Sequence, residues 1–430
     1  MQQDHLASVQ PFEICSIRPP TENNSLTFRL TRNCYWNKCS FCPIYKTGAT
    51  FKKRPLEEVT EDIVRAGKLN TLLAENGIGG TMHTRIIHER ALNLIKRIQK
   101  ATHDAGIIGK KRLAPLENSP DPRMRWFSAW FIEFPDITDC VEHLMSWRLS
   151  GGRTCFLGDA DSLIMEPGYL KEVMGVIRKT FPHIERFTVY GRTRTAAKVR
   201  TGEDLSGFKE AGIHRVHFGI ESGSAAVLKM VNKGETPEDH VTGSLKVSRA
   251  GLSSSFYVMP GLGGMALSEE HATETARVIN EASPDYVRLR TLEIFEGTPI
   301  DRMRRQGDFV EADDDTVVRE IRQMIEQITV PVELLSDSAT NLLPIFGHLP
   351  EDKKKMLSIV DDYLGRDPRE RLEYSLRTRL DAFSGQYGGL SEEVMHAIRP
   401  AMSGNNLDLS LTGDDQIKSM TAFVKSRLMP

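Results

Sequence analysis

After Gly151 the sequence alternates regularly between strand-like and helical patterns, and this alternation restricts the fold more than any other feature. Short apolar, β-branched and aromatic runs recur at intervals of roughly 30–40 residues, a spacing typical of βαβ units that form a parallel sheet. The runs lie at 25–31, 153–157, 186–190, 214–219, 255–259 and 286–291, with helical patterns at 168–180, 202–211, 224–231, 239–250 and 269–282. The predicted fold is α/β, a partial (β/α)6 barrel of the TIM type.

The rest of the sequence predicts additions to this barrel. Residues 1–24 form an N-terminal extension, and the barrel spans 25–310. Inside it, a helix at 54–67 precedes an insertion at 68–150, which either covers an active site, forms an interface or packs its aromatic residues into a subsidiary core. Residues 311–430 form a C-terminal helical region without further strands, with helical patterns at 314–329, 350–364, 368–384 and 414–428.

Composition lowers the expectation of several protein classes. The 430 residues are 40% hydrophobic and 27% charged, which is ordinary for a globular protein. A formal net charge of −2 gives no electrostatic reason to expect nucleic acid as the main partner. No run approaches the roughly 18 apolar residues of a membrane span, and the N-terminus lacks a secretory pattern. We therefore expect a cytoplasmic protein with reduced thiols.

Three of the six cysteines lie together in CYWNKCSFC at 34–42, a C-x4-C-x2-C pattern. In a reducing compartment such a group indicates a metal or cofactor site. Thiolates of Cys34, Cys39 and Cys42 can bind three irons of a [4Fe–4S] cluster and leave the fourth open to a small molecule. The alternative is zinc, with His83 or His88 as a distant fourth ligand.

The cysteine loop resembles that of the radical S-adenosylmethionine (SAM) superfamily, in the branch of MiaB, NifB and the oxygen-independent coproporphyrinogen oxidases. Phe41 matches the aromatic residue usual before the last cysteine. The commonest family spacing is C-x3-C-x2-C, so the first gap here is one residue longer. The resemblance covers 25–300. It implies a radical SAM barrel, a [4Fe–4S] cluster and SAM as cofactors, oxygen sensitivity, and an electron donor such as flavodoxin or ferredoxin.

One motif after the second strand is similar to a SAM-binding element of the family. FLGDADSL at 156–163 resembles the Gly-Gly-Glu element, which implies that Gly158 and Asp159 face the methionine amino group. Asp161 is a second candidate for this acid. A cap of the next helix is the structural alternative for either aspartate.

Two further motifs continue the resemblance. In GIESGSAAVLKMVNKG at 219–234, Glu221 matches a residue that bonds the SAM ribose, and Lys233 one that contacts the SAM carboxylate. The alternative for Lys233 is a cation that stabilises a helix C-terminus. Gly261 of MPGLGG at 259–264 matches a glycine-containing element near the adenine.

Polar residues end the third and sixth predicted strands, where a barrel carries its chemistry. Inward-facing arginines there indicate a substrate with carboxylate or phosphate groups, and the alternative is that they point to water. The substrate candidates are Tyr190, Arg192, Arg288 and Arg290, and Arg194 and Glu293 lie in the same segments. No residue is predicted to be catalytic in its own right.

The resemblance implies an enzyme that cleaves SAM reductively to a 5′-deoxyadenosyl radical and abstracts hydrogen from a small anionic substrate. No cobalamin-binding region, second cysteine cluster or small basic β-domain is apparent, which disfavours cobalamin-dependent methyl transfer, sulfur insertion and tRNA modification. The alternative is an iron–sulfur or zinc-binding accessory protein that does not cleave SAM.

Overall fold

The computed structural model describes residues 6–46, 50–79, 84–104, 111–112, 117–128, 132–134, 136–404 and 406–429. Five parts of the predicted insertion lie outside the described residues, namely 80–83 (which include His83), 105–110, 113–116, 129–131 and 135. None of the described helices combines the length and the apolar character that crossing a membrane requires.

An eight-stranded sheet organises the structure, and its strand order follows the sequence. The first seven strands are parallel, and the eighth is antiparallel to the seventh. Each crossover places the next strand on the same side, as in a barrel that is not closed. The α/β class and the six predicted strands are confirmed. The strands are β1 Leu26–Arg29, β2 Thr154–Gly158, β3 Arg186–Gly191, β4 Ile213–Glu221, β5 Ser253–Val258, β6 Tyr286–Leu289, β7 Val332–Leu335 and β8 Phe346–Leu349.

Helices fill the connections between the strands, and polar caps mark where several begin. In α6 and α8, Thr201 and Thr236 form capping boxes with Asp204 and Asp239. The helices up to β7 are α1 Leu56–Glu75, α2 Thr84–Asp104, α3 Pro122–Ser128, α4 Ile137–Leu149, α5 Pro167–Thr180, α6 Gly202–Ala211, α7 Ala225–Met230, α8 Pro237–Arg249, α9 Ser268–Ala282, α10 Pro299–Gln306 and α11 Asp314–Gln327.

The predicted insertion belongs mostly to the main core. Helix α1 continues to Glu75, past the predicted end at 67, because Leu69, Leu72 and Leu73 extend its buried face. Helices α2 and α4 bury apolar side chains in the same core cluster as β1. The short helix α3 instead packs Met124 and Phe127 against Phe295, in the loop after β6. This part of the insertion therefore lies at the C-terminal ends of the strands.

The region after 311, predicted to be mostly helical and without a strand rhythm, also contains β7 and β8, which extend the sheet. These four-residue strands contain polar residues and a glycine, so they show little of a buried strand's hydrophobic pattern. The helices that follow are α12 Lys353–Leu364, α13 Pro368–Tyr387, α14 Glu392–Ile398 and α15 Asp414–Lys425. Helices α13 to α15 form a hydrophobic cluster of their own. The domain boundaries at 24/25 and 310/311 stay predictions.

Candidate active site

The cysteine loop follows β1 and is held by hydrogen bonds to the chain after β4. Ser40 donates its backbone N–H to Val231 O at 2.8 Å, and Trp36 Nε1 donates to Asn232 O at 2.8 Å. Within the loop, Asn37 Nδ2 donates to the carbonyl oxygen of Tyr45 at 2.5 Å. These contacts place the loop at the C-terminal ends of the strands, as the sequence predicts.

The thiols of Cys34, Cys39 and Cys42 line one cavity of about 240 Å³. All three cysteines are partly exposed, and none of them forms a disulfide. The strand-end residues predicted for SAM or substrate that share this cavity are Phe41, Tyr190, Arg192, Glu221, Lys233 and Arg290. The sheet topology thus brings together residues up to 256 positions apart, because the C-terminal ends of its parallel strands meet at one edge.

The donor set fits a [4Fe–4S] cluster. Three thiols come from one loop, and each can bind a different iron of a cubane. Burial raises the pKa of the Cys39 thiol to about 12, whereas Lys233 and Arg192 act in the opposite direction and favour the thiolate that a metal ligand must be. Within the described ranges, no set of three His, Cys, Asp or Glu side chains is grouped to hold a single metal ion.

Two buried cations on the β3–β4 side of the cavity pair with two carboxylates and share one of them, Glu235. Lys233 Nζ lies 3.1 Å from Glu221 Oε1 and 3.7 Å from Glu235 Oε2. Arg192 Nη2 lies 3.3 Å from Glu235 Oε2 and donates to Lys233 O at 2.6 Å. Burial alone lowers the pKa of Lys233, but Glu221 and Glu235 outweigh it and raise that pKa, so the amine stays charged.

Glu235 is a functional candidate that the sequence analysis missed. Its Oε1 accepts hydrogen bonds from the Thr193 hydroxyl and the Arg194 backbone N–H, both at 2.9 Å. Burial raises the pKa of Glu235, yet Lys233 and Arg192 bring it down to about 2. The sequence signal was slight, an acid two residues after Lys233 and next to a helix cap.

Glu221 occupies an unusual backbone position at the end of β4. Its φ is +65°, and the pairing of β4 with β5 shifts register between Gly219 and Glu221. A left-handed φ is uncommon for glutamate and is found most often at functional sites. The bulge directs the carboxylate to Lys233 at the cavity wall. A side chain at Gly219 would collide with that carboxylate, since a Cβ there would lie 2.4 Å from Glu221 Oε1.

Gly158 and Asp159, predicted to contact SAM, do not line the cavity. Asp159 is buried beneath the cysteine loop, where it lies 2.9 Å from Arg29 Nη2 and accepts a hydrogen bond from the Tyr45 hydroxyl. A Cβ at Gly158 would meet Cys15 Sγ at 2.4 Å, so this glycine allows close packing against the N-terminal segment.

Asp161 and Gly261 also lie outside the cavity lining. Asp161 accepts hydrogen bonds from the backbone N–H groups of Leu163 and Arg192, as a cap does, and burial raises its pKa to about 7. Gly261 has a left-handed φ of +86° and donates its N–H to Glu320 at 2.6 Å. It supports the turn after β5.

The four predicted substrate residues occupy different depths. Tyr190 and Arg290 line the cavity, whereas Arg288 lies deeper, buried and paired with Asp337. Arg192 lines the cavity but is engaged by Glu235. Arg288 and Arg290 are two positions apart, so both point to the same side of the strand and are offset along it by about 7 Å.

Glu293, in the loop after β6, lines the same cavity and is 6% exposed. Arg123 of the predicted insertion lies 3.4 Å from its Oε2. Burial raises the pKa of Glu293 to about 7, although Lys425, Arg123 and Arg379 oppose this rise. The insertion and the C-terminal helices therefore both reach the site.

Comparisons with known proteins find similarity over parts of the chain. A sequence profile described as "Radical SAM superfamily" matches residues 128–276. A tRNA uridine(34) acetyltransferase of Methanocaldococcus infernus is 25% identical over 108 residues, 25% of this chain and 20% of that protein. A second such protein, from Methanocaldococcus jannaschii, matches 22% of its length. The chain thus spans about a fifth of the curated relatives that it matches.

Solved structures also show partial likeness. Elp3 of Methanocaldococcus infernus, with an N-terminal deletion, is 17% identical, with 50% of this chain and 55% of that chain covered and a TM-score of 0.37. The coproporphyrinogen III oxidase HemN of Escherichia coli, described as a radical SAM enzyme, is 11% identical, with 99% and 93% covered and a TM-score of 0.36.

The matched range runs from α3 to α9 and contains β2 to β5, with Glu221 and Lys233 at the cavity wall. The cysteine loop precedes that range and opens onto the same cavity. Residues 128–276 are therefore similar to the radical SAM superfamily, a family that uses a [4Fe–4S] cluster and SAM.

Proposed function

We propose that Cys34, Cys39 and Cys42 bind a [4Fe–4S] cluster at which this chain cleaves SAM reductively, and that the radical formed takes hydrogen from a small anionic substrate. The shared cavity carries the proposal, because it joins three thiols of one loop to charged and apolar side chains at the strand ends. SAM has a charged amino-acid end and a nucleoside end, and such a lining suits both.

The chain's own residues would hold and orient these groups. Bound cluster and SAM supply one-electron cleavage to methionine and a 5′-deoxyadenosyl radical, with the electron coming from a reduced donor such as flavodoxin or ferredoxin. Lys233 offers a fixed positive charge to the SAM carboxylate, and Glu221 offers carboxylate oxygens to the ribose hydroxyls. Phe41 and Leu292 add apolar surface to the same wall.

Gly158, Asp159 and Gly261 take supporting roles in this proposal. Asp159 fixes Arg29 and Tyr45 beneath the cysteine loop, so it positions the loop from below. Gly261 shapes the turn after β5 through its bond to Glu320.

The substrate would bring an anionic group to Arg290. This guanidinium and the Tyr190 ring line the cavity above the buried interior of the barrel. Arg192 and Arg288 are paired with Glu235 and Asp337 and fix the surrounding walls.

The test is anaerobic reconstitution of the full chain, followed by iron and sulfide analysis and incubation with SAM and dithionite. We expect about four irons per chain and formation of 5′-deoxyadenosine. Bound zinc without iron, or a cluster that yields no 5′-deoxyadenosine, would reject the proposal in favour of an accessory protein.

A nucleic-acid substrate is the second candidate, because the curated relatives are named for tRNA. The net charge of −2 gives it no electrostatic support. Bulk tRNA added to the same assay distinguishes the two. Stimulation of 5′-deoxyadenosine formation by tRNA would replace the small-molecule substrate in the proposal.

A further inference from the structure

Glu293 lies where the cysteine cavity meets a second, larger cavity. The second cavity, of about 800 Å³, is bounded by the loop after β6, α3, α11 and the C-terminal helices α13 and α15. Of the residues that the structure describes, Glu293 lines both cavities. A ligand that enters from the larger cavity would thus pass this carboxyl group before it reaches the cluster loop.

The other charges at the inner wall of the second cavity are arranged in close ion pairs. These pairs are Asp314 with Arg379 at 2.7 Å, Glu311 with Lys425 at 2.7 Å, Asp315 with Arg371 at 2.9 Å, and Asp121 with Arg123 at 2.8 Å. Because each of these eight charges has an opposite partner, they offer a ligand little net attraction.

Glu293 departs from this pattern. Among the described residues, the ion pair of Glu293 is the 3.4 Å contact of Oε2 with Arg123, and Arg123 makes shorter bonds of 3.0 and 2.8 Å to Asp121. Its Oε1 is buried and accepts no hydrogen bond from any described residue. A buried carboxylate oxygen without a donor is costly, and native proteins rarely keep one without a ligand or another role.

We propose that Glu293 Oε1 binds an ammonium group of the substrate, so that the substrate is a small amino acid whose carboxylate faces Arg290. The inference rests on the proposed function, since it specifies the substrate of the same cavity. The two residues are three positions apart, so their Cα atoms lie within about 11 Å. Both side chains therefore reach one small zwitterion beside the thiols.

The test uses the reconstituted full chain and the individual L-amino acids, each compared with the matching carboxylic acid that lacks the α-amino group. Isothermal titration calorimetry measures binding, and 5′-deoxyadenosine formation measures turnover. We expect at least one amino acid to bind and to stimulate turnover, and its deaminated counterpart to do neither. For that amino acid, Glu293→Gln should raise the Kd at least about tenfold, because a charge-assisted hydrogen bond is lost.

Glu296→Gln is the matched control, because Glu296 borders the second cavity but is half-exposed and paired with Arg305. It should bind the amino acid as the wild type does. Thermal unfolding checks that Glu293→Gln is folded, and Glu293→Ala repeats the test by removing the carboxyl group altogether.

Three results would overturn the inference: no amino acid binds, the deaminated acid binds equally well, or Glu293→Gln and Glu293→Ala both bind like the wild type. In each case 5′-deoxyadenosine formed by the wild type without added substrate would leave the proposed function intact. If the wild type forms no 5′-deoxyadenosine without added substrate, the result would instead count against the proposed function itself.

Discussion

Two buried glutamates near the cysteine loop show opposite electrostatics. Glu235, on the β3–β4 side, is close to two cations and has a pKa lowered to about 2. Glu293, on the β6 side, has one longer contact to Arg123 and a pKa raised to about 7. Burial raises the pKa of both, so the difference comes from the compensating charges.

The contrast separates a group that builds the site from one that is available to a ligand. Glu235 fixes Arg192 and Lys233, and those cations in turn border the thiols. Glu235 Oε2 and Glu293 Oε1 both lack a hydrogen-bond donor among the described residues, but Glu235 Oε2 lies within 3.7 Å of two cations, whereas Glu293 has one longer pair, with Arg123. We therefore expect loss of Glu235 to damage the structure and loss of Glu293 to alter what the cavity binds.

The largest effect is expected from a substitution that removes the cluster that both glutamates would border. Cys39→Ala should abolish both iron–sulfur content and 5′-deoxyadenosine formation, because two thiolates cannot hold the cubane in place of three. Iron analysis and product chromatography after anaerobic reconstitution measure the two losses. Cys155→Ala, which changes a buried thiol on β2, should retain both. If Cys39→Ala kept its iron, the cluster assignment on which the comparison rests would be wrong.

The next effect concerns Glu235. Glu235→Gln should lower the free energy of unfolding by about 3–5 kcal/mol, because it leaves buried Arg192 and Lys233 without their shared carboxylate. Urea unfolding at pH 8, followed by tryptophan fluorescence, provides the measurement.

Glu238→Gln is the control for this variant, since Glu238 is an exposed residue in the first turn of α8. It should cost less than about 1 kcal/mol, the usual worth of an acid at a helix N-terminus. Equal losses in the two variants would show that Glu235 does not hold the cations.

Glu293 should behave in the opposite way. Its pKa is raised from 4.5 to about 7, so the folded protein binds more protons than the unfolded one between these pH values. The free energy of unfolding contributed by Glu293 therefore falls as pH rises through that window. Glu293→Gln should unfold like the wild type near pH 4.5 and be more stable at pH 8 by roughly 1–3 kcal/mol. A variant less stable at pH 8 would show that Arg123 compensates the carboxylate.

The sequence predicted which strand ends form this site, but not which of its two buried glutamates has compensating charges. The strand rhythm placed Cys34, Glu221 and Lys233 at the C-terminal ends of the strands, where the structure has them. Whether a buried charge is compensated depends on partners far along the chain. Glu293 meets Arg123, 170 positions earlier, and no local pattern contains that information.

The sequence motifs also did not predict where single side chains lie. Asp159 follows β2 as predicted, yet its carboxylate turns beneath the loop to Arg29 on β1. Arg288 and Arg290 share a strand face but differ in depth, so one lies in the interior and the other lines the cavity. Periodicity gives the face of a strand, whereas depth depends on where neighbouring loops close over it.

The smallest effect is expected for a third glutamate, Glu296, which lies with Glu293 in the loop after β6 and serves as a reference for the comparison. Glu296 Oε1 lies 3.1 Å from Arg305 Nη2, with both side chains about half exposed. Water screens such a pair, so Glu296→Gln should change the free energy of unfolding by less than about 1 kcal/mol. The same urea titrations measure it. A pH-dependent gain as large as that of Glu293→Gln would mean that any charge removed from this rim stabilises the fold, and the distinction between the compensated and the uncompensated glutamate would then fail.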